Sequence, residues 1–365
     1  MRTSCHVRRC REHQVPFLRH NQPMRRRIFL AATAAAGTPA VAANAPVRFG
    51  IDLFSIRSQN WTPFQFLDYC AKWNTQVVHF SEIRFIGGLE TAHLKAVRAH
   101  AEKLGIALEI GMRSICPSSK SFDASQGTAV EQIERTIDAA VTVGSPIVRA
   151  FLGTMADRTG PIPIEGHIEN AAKALRGARA KALDANVKIA IENHAGDMQG
   201  RELKTLVEQA GKDFVGVCLD SGNPLWTIED PLLTLETLAP YVLTSHVRDT
   251  AVWREKEGIA VKWVRMGEGN IGIGRYAERF QELCAGRPFS LEVIVTQPRI
   301  YAWKDAKFWD AYRNTPAWEF ARFLALADAG EPHKGLKPPG KEEAASREIE
   351  DLEASIDYSH KVLKI

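Results

Sequence analysis

Four side chains able to hold a cation or move a proton end four apolar runs: Glu192 in KIAIENH, Asp220 in VGVCLDSGN, His246 in VLTSHVRD and Glu292 in FSLEVI. Three carboxylates and one imidazole make a hard oxygen-and-nitrogen donor set, suited to one divalent ion such as Mn2+, Mg2+, Co2+ or Zn2+. Beside such an ion a carboxylate can take a proton from the carbon next to a carbonyl, because the positive charge stabilises the enediolate that forms. Each residue alone has a plainer reading: Asp220 before Ser221-Gly222-Asn223 suits a turn, and a lone His246 suits a hydrogen-bonded core. Their shared position at strand ends favours ligation.

Neighbouring residues extend the set. His194 follows Glu192 by two, so strand alternation puts both on one face and makes His194 a second acid or base, a contact to a substrate hydroxyl, or a loop hydrogen bond. Arg248 is placed to bind a substrate oxygen or to pair with Asp249, and Asp249 to orient a ligating side chain from behind. Glu82 ends an earlier apolar run and is expected to touch substrate. Gly267-Glu268-Gly269-Asn270 fits either a close approach to ligand or a tight turn.

These residues need strands whose C-terminal ends meet. Eight strand candidates alternate with helical patterns: Val47 to Phe54, Val77 to Glu82, Ala107 to Met112, Ile147 to Gly153, Lys188 to Asn193, Val215 to Asp220, Val242 to Val247 and Phe289 to Ile294. Between them apolar residues recur every three or four positions, as in Val130-Ile133-Ile137-Val141, and Trp318 to Leu326 supplies the last helix. Such alternation predicts an α/β fold, a closed (β/α)8 TIM barrel, in which the strand C-termini share one face. No GxGxxG follows a strand, so a dinucleotide fold lacks its fingerprint. The longest loops, Thr250 to Asn270 and Thr296 to Thr315, follow the seventh and eighth strands. The second carries Trp303, Phe308, Trp309 and Tyr312, which could stack on a sugar or meet a second subunit in a homo-oligomer.

The ends read differently. Residues 1–45 contain Arg25-Arg26-Arg27-Ile28-Phe29-Leu30, a weakly apolar AATAAAG stretch and small-residue cleavage sites at Ala40-Val41-Ala42 and Ala43-Asn44-Ala45. This is the pattern of a twin-arginine export signal, with Met24 as the expected start and the periplasm as the expected destination. The apolar run is too short for a stable membrane anchor. Eight Arg and one Glu in this leader take +7 of the chain's net +4, leaving −3 for residues 46–365. That balance excludes nucleic-acid binding through a broad basic surface. The barrel is assigned to residues 46–330. Residues 331–365 read as a charged tail, with Ile349, Leu352, Ile356 and Val362 on one exposed amphipathic helix that packs on the barrel or on a second subunit. Cys70, Cys116, Cys218 and Cys284 are widely spaced in apolar settings and read as buried thiols.

The ordered set IENH, LDSGNPLW, SHVRD with GEGNIG, and SLEVI resembles the xylose isomerase-like TIM-barrel superfamily of sugar isomerases and epimerases, over about Val47 to Leu326. The resemblance implies that Glu192, Asp220, His246 and Glu292 bind the metal and that the two glutamates handle protons. Where ketose epimerases carry a histidine three residues after the aspartate, this chain has Asn223, which the resemblance places against substrate. The implied activity is metal-dependent isomerisation or epimerisation of a small sugar. The alternatives are a lyase or dehydratase on a keto-sugar, 3-keto-glycoside or inosose, and a non-catalytic sugar-binding barrel.

Overall fold

Short runs rich in Val, Ile and Leu, bounded by Gly, Pro and polar turns, bury both faces and so favour parallel pairing under a coat of helices. The computed structural model describes residues 47–333 and 340–365. Seven of these runs form β1 Arg48–Asp52, β2 Val77–Phe80, β3 Ala107–Ser114, β4 Ile147–Phe151, β5 Lys188–Glu192, β6 Val215–Asp220 and β7 Val242–His246. Then come β8 Asp249–Glu255 and β9 Gly258–Val264, which stand outside the barrel, and β10 Pro288–Leu291, the eighth barrel strand. The barrel strands pair in parallel in the order β10-β1-β2-β3-β4-β5-β6-β7. A bridge from Val247 to Leu291 brings β7 against β10, with Val247 N donating to Ser290 O at 2.6 Å and Glu292 N to Val247 O at 2.9 Å. Eight parallel strands thus form a nearly closed (β/α)8 TIM barrel.

The helices between strands bury one stripe each. Ala129–Val143 starts at a capping box between Thr128 and Glu131, which satisfies backbone amides the first turn leaves open, and buries Ile133, Ile137 and Ala140 against the barrel. The four cysteines of the described residues are free and buried, matching the thiol reading, and burial raises the pKa of each thiol.

Three departures from the sequence reading concern what lies over and around the barrel. The loop expected over 250–270 contains an antiparallel hairpin, β8 with β9, joined by β11 Arg299–Tyr301 into a second sheet of three strands. Val252, Trp253, Val261 and Trp263 on either side of Lys256-Glu257-Gly258 provide its β-forming residues. The helix Ala317–Ala329 packs on β8 rather than on the closing barrel strand. The tail does not stand exposed: helix Lys341–Tyr358 packs against β10 and the turn after β1, with Leu352 and Ile356 fully buried. Glu348 accepts from Ser58 N and Oγ, both at 2.8 Å, and Arg265 Nε reaches Asp351 at 2.7 Å. Its first and last turns fit the exposed reading, with Glu342 and Glu343 exposed and Val362 at 57% exposure. The tail is therefore one of the barrel's own covering helices. The leader reading, with its twin-arginine pattern, lies outside the described residues. No helix among the described residues is long and apolar enough to cross a membrane.

Candidate functional site

Register does the first part of the assembly. Asp220 and His246 are paired neighbours on β6 and β7, and Glu192 lies beside Cys218 on β5 and β6. Glu292 is the first residue past β10, held by the backbone bond to Val247. His246 is fully buried, with Nδ1 3.0 Å from Glu192 Oε2 and 3.1 Å from Glu292 Oε2. The carboxylates of Glu192, Asp220 and Glu292 thus come together, with His246 against Glu192 and Glu292. Asp220 fills the turn role the sequence allowed, its Oδ1 accepting from the amides of Gly222 and Asn223 at 2.7 Å, while its Oδ2 accepts from Arg248.

Two arginines lie against these carboxylates. Arg149, on β4, donates through Nε to Glu192 Oε2 at 2.6 Å. Arg248 donates through Nε to Asp220 Oδ2 at 2.8 Å and also reaches Glu292, so its partners are two expected metal ligands and not Asp249. Burial alone would raise the pKa of Glu192, yet Arg149 and His246 outweigh it and hold the carboxyl well below its ordinary range. Arg248 and His246 do the same for Glu292 against the same burial penalty. Burial wins at Asp220, pushing it up to about 7 despite Arg248. At His246 burial acts downward, but the surrounding Cys218, Asp52, Glu292 and Glu192 raise the pKa well above its usual value.

The remaining expected residues divide. His194 faces the cavity: Nδ1 donates to Gly153 O at 2.8 Å, so a neutral ring leaves Nε2 free to accept a proton, and the ring stacks on Phe151 at 4.1 Å. Burial lowers its pKa, with Glu192 opposing, which favours that neutral form. Asn223 donates to Glu192 Oε1 at 3.1 Å and lines the cavity, as do Glu82, which is paired to Arg84, and Arg248. Asp249 is a correction. Its carboxylate accepts from the amides of Gly267 at 2.9 Å and Gly269 at 3.1 Å, and so fixes the 267–270 turn instead of a ligating side chain. A Cβ at Gly269 would sit 2.1 Å from Asp249 Oδ1, so that turn needs glycine. The sugar-stacking reading of the aromatic loop is a second correction: Trp309 meets Phe320 at 4.8 Å and Phe308 meets Tyr312 at 5.1 Å, a small core away from the cavity. The aromatic rings lining the cavity are Phe54, Phe151 and Trp263.

Sequence reasoning missed Asp52, Arg149, Arg113 and Ser81. Asp52 ends β1 and follows the same strand-end rule as the others. Its Oδ2 lies 3.2 Å from His246 Nε2, its Oδ1 accepts from Ser81 Oγ at 2.6 Å, and burial raises it to about 6. Arg149 had a signal too, a single charge inside the apolar run IVRAF.

Whether these residues suit a metal can be tested on their donors. Ligand atoms of Glu192, Asp220 and Glu292 lie within 4.8 Å of one another, and so do those of Asp52, His246 and Glu292. Both His246 nitrogens and Asp52 Oδ2 are buried with no aligned hydrogen-bond partner among the described residues. Buried polar atoms without partners are costly, and convergent carboxylate oxygens with an imidazole match the donor preference of a divalent ion. The residues fit such an ion.

A family model described as xylose isomerase-like TIM barrel matches residues 67–311. The chain belongs to that family. Among curated relatives of this barrel family, a 3-oxo-isoapionate decarboxylase of Pectobacterium atrosepticum is 24% identical over 190 residues, 52% of this chain and 62% of that protein. The chain therefore spans about three fifths of that relative's length. Among solved structures, D-psicose 3-epimerase in the presence of D-fructose superposes with a TM-score of 0.58 at 16% identity, covering 87% of this chain and 99% of the other. The IOLI protein with a bound zinc atom superposes at 0.52 with 14% identity, covering 79% and 100%. At these identities the structural likeness speaks to the fold.

Proposed function

We propose that this chain is a metal-dependent isomerase or epimerase of a small keto-sugar, working by proton transfer next to a carbonyl. The observation that carries the reading is the meeting of the Glu192 and Glu292 carboxylates at one imidazole nitrogen, 3.0 and 3.1 Å away, beside a cavity of about 260 Å3. That volume suits a monosaccharide, since cavities for drug-sized ligands run from roughly 300 Å3 upward. Glu192, Asp220, His246 and Glu292 would hold the divalent ion, which when bound would supply positive charge that stabilises the negative charge developing on the substrate. One glutamate takes the proton from the carbon next to the carbonyl, and the other returns one to the opposite face. Asn223 holds Glu192 in place through its Oε1, and the neutral His194 ring offers Nε2 to a substrate hydroxyl. Arg149 favours the ionised form of Glu192, as a general base requires.

A lyase or decarboxylase reading has its own support. A curated relative is named for decarboxylation of a 3-oxo acid, and such cleavage also proceeds through an enolate that this donor set would stabilise. Solvent deuterium incorporation followed by NMR over ketoses, inososes and 3-keto-glycosides, with metal-loaded and EDTA-treated protein, separates the cases. Exchange that needs the metal, with carbon skeleton retained, is the expected result for an epimerase. Loss of a substituent or of CO2 moves the assignment to the lyase. Absence of exchange on every compound sinks the enolisation reading and favours a sugar-binding role.

We also propose export through Arg26-Arg27, which lies outside the described residues. Replacing the pair with Lys-Lys should retain the protein in the cytoplasm, and unchanged export would end that proposal.

A further inference from the structure

Three guanidinium groups line the same cavity, and they are not equivalent. Arg149 is committed to Glu192, and Arg248 to Asp220 and Glu292. Arg113 forms no hydrogen bond or close ion pair among the described residues, with Asp123 its electrostatic neighbour, and its side chain is exposed at the cavity wall while both neighbours on β3 are buried. The backbone explains how it gets there. Between β3 and β4 the register steps from Gly111 opposite Arg149 to Ser114 opposite Phe151, three residues against two. The extra residue is a bulge at Met112-Arg113, a device that redirects a side chain at a strand end.

Charge strengthens the point. In the wall and floor, Glu82 faces Arg84, so this pair cancels, while Asp52 faces His246, which is neutral when it ligates a metal. Glu192, Asp220 and Glu292 then balance Arg113, Arg149 and Arg248. A divalent cation on those carboxylates, set against the remaining charge of Asp52, leaves the cavity with an excess of one positive charge. Arg248 Nη1 is in addition buried without a hydrogen-bond partner. An excess of unpaired guanidinium in a partly closed cavity favours an anionic ligand, because Arg binds planar carboxylates and phosphates through paired N–H donors.

We infer that the substrate is an anionic keto-sugar, carrying a carboxylate or phosphate that Arg113 binds at the rim while the keto end lies over Glu192 and Glu292. The inference rests on the function proposed above for the location of the reacting end, and it adds the substrate class and a specificity residue.

The test uses three ketohexoses that differ at C6: D-fructose, D-fructuronate with a carboxylate, and D-fructose 6-phosphate. Binding to the metal-loaded full chain is measured by calorimetry, and solvent deuterium exchange is measured on the same compounds. At least one anion should bind about tenfold or more tighter than D-fructose, the range of a charge-assisted contact. Arg113→Gln should weaken binding of the anion far more than that of D-fructose and so remove the preference, and Arg113→Lys should restore part of it. The tighter anion identifies the group. Anion preference that depends on Arg113, with no exchange on any compound, upholds this inference and overturns the enolisation reading. Exchange on all three alike, unaffected by Arg113→Gln, overturns this inference and leaves the enolisation reading standing. Equal binding of neutral and anionic compounds, or equal weakening of all three by Arg113→Gln, also overturns it.

Discussion

The floor of the cavity and its wall are positioned by different parts of the molecule. Floor residues Asp52, Glu192, Asp220 and His246 close barrel strands, and Glu292 follows one, so the parallel ladder itself fixes where their carboxylates and ring lie. Wall residues depend on features added to that ladder: Arg113 on a bulge, Arg248 in the crossing from β7 to β8, and Trp263 on the second sheet. Arg248 joins the two regions, with its guanidinium 4.4 Å from the Trp263 ring and bonded to two floor carboxylates. Floor geometry is thus strand-determined, while the wall depends on local additions to the ladder.

Breaking the floor should have the largest effect. Glu192→Gln and Glu292→Gln keep shape and lose the base, and each should lower turnover by about 100- to 10,000-fold with an unchanged circular dichroism spectrum. Near-normal rates in both would transfer the proton chemistry to another group. Removing the link between floor and wall comes next. Arg248→Met leaves Asp220 and Glu292 as buried carboxylates without their cation, which should cost the metal-free protein about 3–5 kcal/mol in urea unfolding. Added divalent metal should recover much of this loss, and failure to do so would argue that Arg248 neutralises carboxylates no metal reaches.

A control lies away from the mouth. Glu229 is buried, accepts from Gly200 N and Thr234 Oγ1, and burial raises it to about 7 from 4.5. A carboxyl with a raised folded pKa binds its proton more tightly in the native state. Stability therefore falls as pH rises from about 4.5 through about 7. Glu229→Gln should remove that fall, gaining about 1–3 kcal/mol at pH 8 and little at pH 4, measured by denaturant unfolding at the two pH values. The smallest effects should separate the two aromatic groups. Trp263→Ala should raise KM severalfold by freeing Arg248 from its ring, at little cost to stability. Trp309→Ala should lower stability by about 1–3 kcal/mol with KM unchanged, because Trp309 packs on Phe320 and not on the cavity.

Much of the floor was legible before folding because strand ends are local features. KIAIE, VGVCLD and VLTSH each show an apolar run stopping at one polar side chain, and the eight runs recover the eight barrel strands. Asp52 obeys the same rule and was passed over only because Leu53-Phe54 continues the apolar run beyond it. The second sheet was less legible. Its strands lie inside segments whose charged residues and glycines also suit a loop, and its third strand, β11, joins from about forty residues away. The tail's role was hidden for the same reason: an amphipathic stripe of Leu352 and Ile356 shows that something covers it, not what.

The sequence by itself determined the periodicities, hence a (β/α)8 barrel, and the acidic and imidazole residues that this barrel gathers on one face. Tertiary structure alone decided that Arg149 and Arg248 lie on those carboxylates, that Asp249 turns away to fix a loop, and that Arg113 stands unpaired at the rim. Hydrophobic periodicity is a property of consecutive residues and survives in a one-dimensional reading. The partner of a guanidinium depends on distances between segments 28 to 44 residues apart, and those distances exist only once the ladder closes.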